Sequence, residues 1–139
     1  MSVETRCRFE KALISGTAEC AQAKRLEIGE RLVCLCRSPA AAQRCDRYLA
    51  LLRQNMRFVF RQANGGNETL SNYQEICLQC GGLLGLAAMI DGAQADDKFE
   101  VSALLKTVED EQQGIESISL DRIIPRIAAY NPRPHRKKR

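Results

Sequence analysis

Ser38-Pro39-Ala40-Ala41-Ala42-Gln43-Arg44-Cys45-Asp46-Arg47-Tyr48-Leu49-Ala50-Leu51-Leu52-Arg53-Gln54-Asn55-Met56-Arg57-Phe58-Val59-Phe60-Arg61-Gln62 is the stretch whose reading decides the fold. It opens on a strong helix-start signal. A serine hydroxyl can accept a bond from a free backbone amide of the first turn, and a proline at the first helical position has its φ already set. A long helix is therefore predicted from Pro39 to Gln62. Ala41, Cys45, Leu49, Leu52, Met56 and Val59 recur at helical spacing as one apolar stripe, while Arg47, Arg53, Arg57 and Arg61 fall on the other side. The stripe faces a core and carries Cys45 into it. The charged side reads most simply as a solvated face.

Downstream, Ala63-Asn64-Gly65-Gly66-Asn67 reads as a turn. Leu70, Tyr73, Cys77, Cys80, Leu84 and Ala87 then share a helical face up to about Ile90. Gly81, Gly82 and Gly85 each cost a helix interior roughly 1 kcal/mol relative to Ala. They imply close backbone approach to another helix or to a bound cofactor, or else a broken helix. Residues 91–97 read as an acidic loop and 99–111 as an amphipathic helix. Residues 119–130 read as a last helix, kinked or restarted at Pro125.

Upstream, Phe9, Ala12 and Leu13 predict a short helix within residues 5–16. Thr17 is placed as the N-cap of a second helical segment, with Cys20 at its third position and Ala18, Ala21 and Ala23 favouring helix. Gly29 interrupts it. Residues 30–36 read two ways, because Leu32, Cys34 and Cys36 alternate as in a strand while Leu32 and Cys36 also share a helical face. With no internal repeat and no strong strand pair, the expected fold is all-α. It is a compact bundle of about five helices organised around the long central one. Residues 1–132 form a single helical Cys-rich domain, and residues 133–139 a disordered basic tail.

The 139 residues suit one domain with a modest core, and 45% hydrophobic with 27% charged residues is the balance of a globular chain. No uninterrupted apolar run approaches the roughly 20 residues of a membrane span. The start of the chain lacks the apolar stretch of a secretory signal. A reducing cytoplasm is expected, where cysteines stay as thiols or become ligands; their odd number, seven, also speaks against a complete disulfide framework. Charge is strongly divided. Residues 1–62 carry 12 Lys and Arg against 6 Asp and Glu, residues 63–132 carry 4 against 11, and the last seven residues add five cations. A four-thiolate site is net negative, and the arginines of the first half would stabilise it.

The cysteines are the chemically informative residues. Their spacing is Cys7-x12-Cys20-x13-Cys34-x-Cys36-x8-Cys45, followed by Cys77-x2-Cys80. This matches neither ferredoxin spacing nor the paired knuckles of a zinc ribbon. Free cysteine also serves as a small buried hydrophobe, a role open to Cys45, Cys77 and Cys80 on their apolar faces and, for Cys77, at least as good a reading as ligation. Cys7 and Cys20 stand among charged residues at segment starts, where packing explains them least. Cys36 precedes the Ser38-Pro39 helix start, whose amides favour an anion. The predicted ligands are Cys7, Cys20, Cys36 and Cys45, with Cys80, Cys34 and Cys77 as substitutes.

The expected function is a small cytoplasmic iron–sulfur protein in electron transfer, redox sensing or cluster handling for a protein partner. One alternative is a structural-zinc interaction module contacting nucleic acid or an acidic partner through Arg47, Arg57, Arg61, Arg136, Lys137, Lys138 and Arg139. The other is a metal-free helical adaptor with buried thiols. A thioredoxin-like reading of Cys77-x2-Cys80 lacks its strand–turn–helix setting, and no phosphate loop or hydrolytic triad is present. Enzymatic activity is not expected.

Overall fold

The segment 23–36 folds as a β-hairpin. In the computed structural model, which describes residues 5–67, 69–91, 100–111 and 114–131, β2 (Ala23–Ile28) pairs antiparallel with β3 (Arg31–Cys36) from Ala23↔Cys36 to Ile28↔Arg31. Gly29 takes φ 65° in the two-residue connection, a backbone region that only glycine enters without steric cost. A short β1 (Thr5–Arg6) pairs on the other edge of β3, giving the order β1-β3-β2. The all-α expectation is therefore wrong. The protein is a mixed α/β fold, with five helices and a three-stranded antiparallel sheet among the described residues.

The physical reason lies in residues 17–36. Alanine-rich local propensity favours helix at 18–23, but Ala23 pairs with Cys36 at the end of the hairpin and residues 18–22 form a loop held by the Val101 amide bond to the Glu19 carbonyl. Gly29 is the hairpin turn rather than a helix break. Cys20 lies in the loop before β2, not on a helix.

Of the helices, α1 (Glu10–Ile14) is shorter than expected, with β1 occupying the start of its predicted range. Its first turn has no side-chain cap of its own. Gln79, 4% exposed, accepts from the amides of Lys11 (3.0 Å) and Ala12 (3.3 Å) instead. The central helix, α2 (Pro39–Ala63), starts as its sequence signal predicts, with Ser38 Oγ accepting from the Ala41 amide at 3.1 Å. Ala41, Cys45, Leu49, Leu52 and Met56 are buried, but Val59 is 48% exposed and Phe60 takes the inward position.

Next, α3 (Asn72–Asp91) runs unbroken through all three glycines. A Cβ on Gly81 would lie 2.7 Å from Ile127 Cα, and one on Gly85 would lie 3.2 Å from Ile123 Cα. Gly82 instead faces the Leu52 side chain. The glycines thus serve helix–helix contact. By length and composition residues 72–90 would also suit a membrane span, and 61% of that window is buried against protein. Then follow α4 (Val101–Glu111), a 3-10 turn at Ile115–Ser117 and α5 (Ile124–Ala129). The last is half the predicted length, beginning one residue before Pro125. The expected acidic loop, the start of the 99–111 helix at Phe99 and the basic tail 133–139 lie wholly or mainly outside the described residues.

One main core joins α1, α2, α3, α4 and α5, with Phe9, Tyr48, Leu52, Leu78, Leu83 and Leu105 fully buried. Across it the cationic and acidic parts of the chain find each other. Arg47 pairs with Glu109 (2.6 Å) and Glu116 (2.7 Å), and Arg53 pairs with Glu75 (2.7 Å). Much of the sequence's charge division is thereby answered within the chain.

Candidate metal centre

Four segments meet at one end of the sheet. Cys7 extends β1, its amide donating to the Cys34 carbonyl at 2.8 Å. Cys36 ends β3, in register with Thr5 on one side and Ala23 on the other. Cys45 enters from the second turn of α2. Cys20 comes from the loop before β2, where its carbonyl accepts from the Ala23 amide at 3.1 Å.

These four cysteines line one cavity, together with Arg8 and the apolar side chains of Phe9, Leu13, Ala41, Ala42 and Val101. Cys36 and Cys45 are buried; Cys7 and Cys20 are partly exposed. The cavity is small, about 10 Å³, room for about one water. The thiols therefore ring a narrow gap. Among the described residues, no group of three or more His, Cys, Asp or Glu side chains is arranged to hold a metal ion. Cys36 Sγ in fact donates to the Ser38 carbonyl at 3.3 Å.

The remaining cysteines sit elsewhere. Cys34 shares the Cys36 face of β3 but is packed in the main core, its amide donating to Glu10 Oε2 at 2.7 Å. Cys77 Sγ lies 3.6 Å from the Tyr130 carbonyl, and Cys80 Sγ lies 3.7 Å from Ser15 Oγ. Those two occupy the seam of α3 with α1 and the end of α5.

Electrostatics oppose ionisation of Cys7, Cys20 and Cys45. Burial pushes Cys7 up to about 12, and the neighbouring Cys20, Cys34 and Cys36 push the same way, against a lowering bond from the Phe9 backbone. Burial likewise raises Cys45, reinforced by Cys7, Cys20, Cys36 and Asp46. Cys20 is raised by burial and by Glu100. Four thiolates here would need a positive centre to hold them together.

Two supporting residues escaped sequence reading. Glu100 Oε2 accepts from the Ala21 amide at 2.6 Å, while the Val101 amide donates to the Glu19 carbonyl at 2.8 Å, so the start of α4 fixes the Cys20 loop. Arg8 reaches the cavity wall and pairs with Asp46. The one local signal was that each member of this pair follows a predicted ligand, Cys7 or Cys45. Of the residues expected to contact anions or partners, Arg47 is engaged with Glu109 and Glu116, Arg57 and Arg61 are exposed, and residues 136–139 lie outside the described region. Compared with family models, curated proteins and solved structures, the chain matches none.

Proposed function

We propose that this chain is a small iron–sulfur protein that binds its cluster through Cys7, Cys20, Cys36 and Cys45 and serves a protein partner in electron transfer, redox sensing or cluster handling. The observation that carries the reading is the convergence of these four cysteines, from four separate segments, on one cavity. Packing alone accounts for Cys34, Cys77 and Cys80, which are dispersed through the core. It gives no reason for four thiols to gather on one cavity, where neighbouring thiols add to the cost of ionising Cys7 and Cys45. A cluster is an extended object that takes thiolates around its periphery. A zinc ion needs all four sulfurs about 2.3 Å from one point. Ligands drawn from four separate segments, without the paired CxxC knuckles of a zinc ribbon, favour the cluster, and the gap, with room for about one water, has to widen to admit it. Seven free cysteines fit a reducing compartment such as the cytoplasm.

The rival reading is a metal-free adaptor with buried thiols. Its support is that no three candidate ligands among the described residues are arranged around an ion, and that the gap is narrow. Cluster binding requires the thiol side chains to rotate and Cys36 to give up its bond to Ser38. Purification without oxygen, followed by iron, sulfide and zinc analysis, separates the readings. Iron and acid-labile sulfide with a brown chromophore support the cluster. Colourless protein with stoichiometric zinc replaces it by a zinc module. Protein that takes up neither metal, and whose melting is unmoved by chelator, leaves the adaptor.

A further inference from the structure

Ile123 and Ile127, one helical turn apart and both buried, carry α5 onto α3, where Gly85 and Gly81 let the two backbones close. The residue before each isoleucine, Arg122 and then Arg126, is exposed and lines a groove of about 490 Å³ between these helices. Leu84, Pro125 and Ala129 give that groove an apolar wall. No acidic side chain lines it, and among the described residues neither arginine makes an ion pair or a side-chain hydrogen bond. On α2, by contrast, Arg47 and Arg53 both find carboxylates. Asn131 also lines the groove, and from it the chain continues into residues 132–139 with five further cations.

We propose that this groove docks an acidic segment of a partner protein, one that carries a single apolar anchor residue among Asp and Glu side chains. Arg122 and Arg126 stand four residues apart, at the spacing that makes neighbours on a helix surface. Each guanidinium can grip a carboxylate with two parallel bonds. The apolar wall takes the anchor, and the cations that follow Asn131 in the sequence add attraction for acidic flanks. A nucleic acid would find cations here but no free aromatic face for its bases. Tyr130, the one ring among the lining residues, is half-buried, its hydroxyl 3.4 Å from Thr17 Oγ1. A lipid surface would find no large exposed apolar side chain to bury, since Ile14, Ile28, Phe58, Val59 and Tyr73 all lie outside the groove lining. Docking here does not depend on a cluster, because no cysteine lines the groove.

The test is fluorescence anisotropy, with the full chain titrated into fluorescein-labelled peptides in which one Leu, Ile or Phe is flanked on both sides by Asp and Glu. At least one peptide should bind. Arg122→Gln and Arg126→Gln should each weaken that binding about three- to fivefold, the effect of one exposed ion pair. Melting should stay unchanged in both, because neither side chain has a partner to lose. Ala129→Gln crowds the apolar wall without altering charge and should also weaken binding, as should Ser in place of the peptide's apolar residue. Arg57→Gln makes the same charge change at an exposed position outside the groove and should leave the affinity in place. No binding of any peptide up to about 0.5 mM protein, or an equal loss in Arg57→Gln, would overturn the inference. So would tighter binding of a single-stranded oligonucleotide, or of phosphatidylserine vesicles, than of every peptide. Iron and sulfide analysis of the same protein tests the cluster reading separately, so either can fail while the other stands.

Discussion

The carboxylate of Glu100, at the start of α4, accepts a hydrogen bond from the backbone amide of Ala21, 2.6 Å away and one residue beyond Cys20. The same carboxylate accepts from the Ser102 hydroxyl (2.6 Å) and from the Ser102 and Ala103 amides. One side chain therefore caps a helix and holds a predicted ligand loop. Glu100→Ala should cost about 1–2 kcal/mol of stability, as loss of a helix cap does. It should also speed metal loss from the site. Urea unfolding and chelator-challenge rates on wild type and variant check both.

The same group gives an acid limb. Burial pushes Glu100 up, but the bonds from Ser102, Ala21 and Ala103 outweigh it and hold the carboxyl below the ordinary glutamate value. A folded pKa below the unfolded one means stability that is present above the unfolded value and lost as pH falls through the folded one. Metal-free wild type should lose stability below about pH 4.3 more steeply than Glu100→Gln, which has no proton to gain at that position. Denaturation midpoints measured down this pH range test the sign.

Helix contact predicts a contrast between two adjacent glycines. On Gly81 a methyl group would strike Ile127 backbone at 2.7 Å, which α5 can relieve only by moving. On Gly82 it would meet the tip of the Leu52 side chain, which can rotate. Gly81→Ala should destabilise by about 1–3 kcal/mol. Gly82→Ala should stay much closer to wild type, because helix propensity returns up to about 1 kcal/mol.

Tyr48 is fully buried, and its hydroxyl donates to the Gly82 carbonyl at 2.7 Å. Tyr48→Phe keeps the ring, its packing near Phe9 and its volume, and loses only that bond between α2 and α3. The expected cost is about 0.5–1.5 kcal/mol, read as a shift in urea midpoint at unchanged slope.

How much of this was legible in the sequence differs by element. Ser38-Pro39 and the stripe from Ala41 to Met56 identified α2 because capping and periodicity are local properties. The hairpin was missed because its evidence is pairwise. Residues 23–28 alternate only weakly, and their partners in 31–36 read two ways until Gly29 is seen as a turn. The glycines of α3 announced a close approach, but only the packed fold could show that Ile123, Ile127 and Leu52 are what approach. At the site, Cys7 and Cys20 stand out as the thiols packing explains least and Cys36 by its place before the Ser38-Pro39 helix start, whereas Cys45 lies on an apolar stripe where packing would also account for it. Arg8 and Glu100 were invisible because their roles depend on contacts 38 and 79 residues away in the chain.

The most direct measurement is the iron and sulfide content, under strict exclusion of oxygen, of wild type and seven single Cys→Ser variants. The account predicts a chromophore in wild type that is lost or sharply diminished in Cys7→Ser, Cys20→Ser, Cys36→Ser and Cys45→Ser, and kept in Cys34→Ser, Cys77→Ser and Cys80→Ser. Loss confined to the latter three, equal content in all seven, or no iron in the wild type would contradict it.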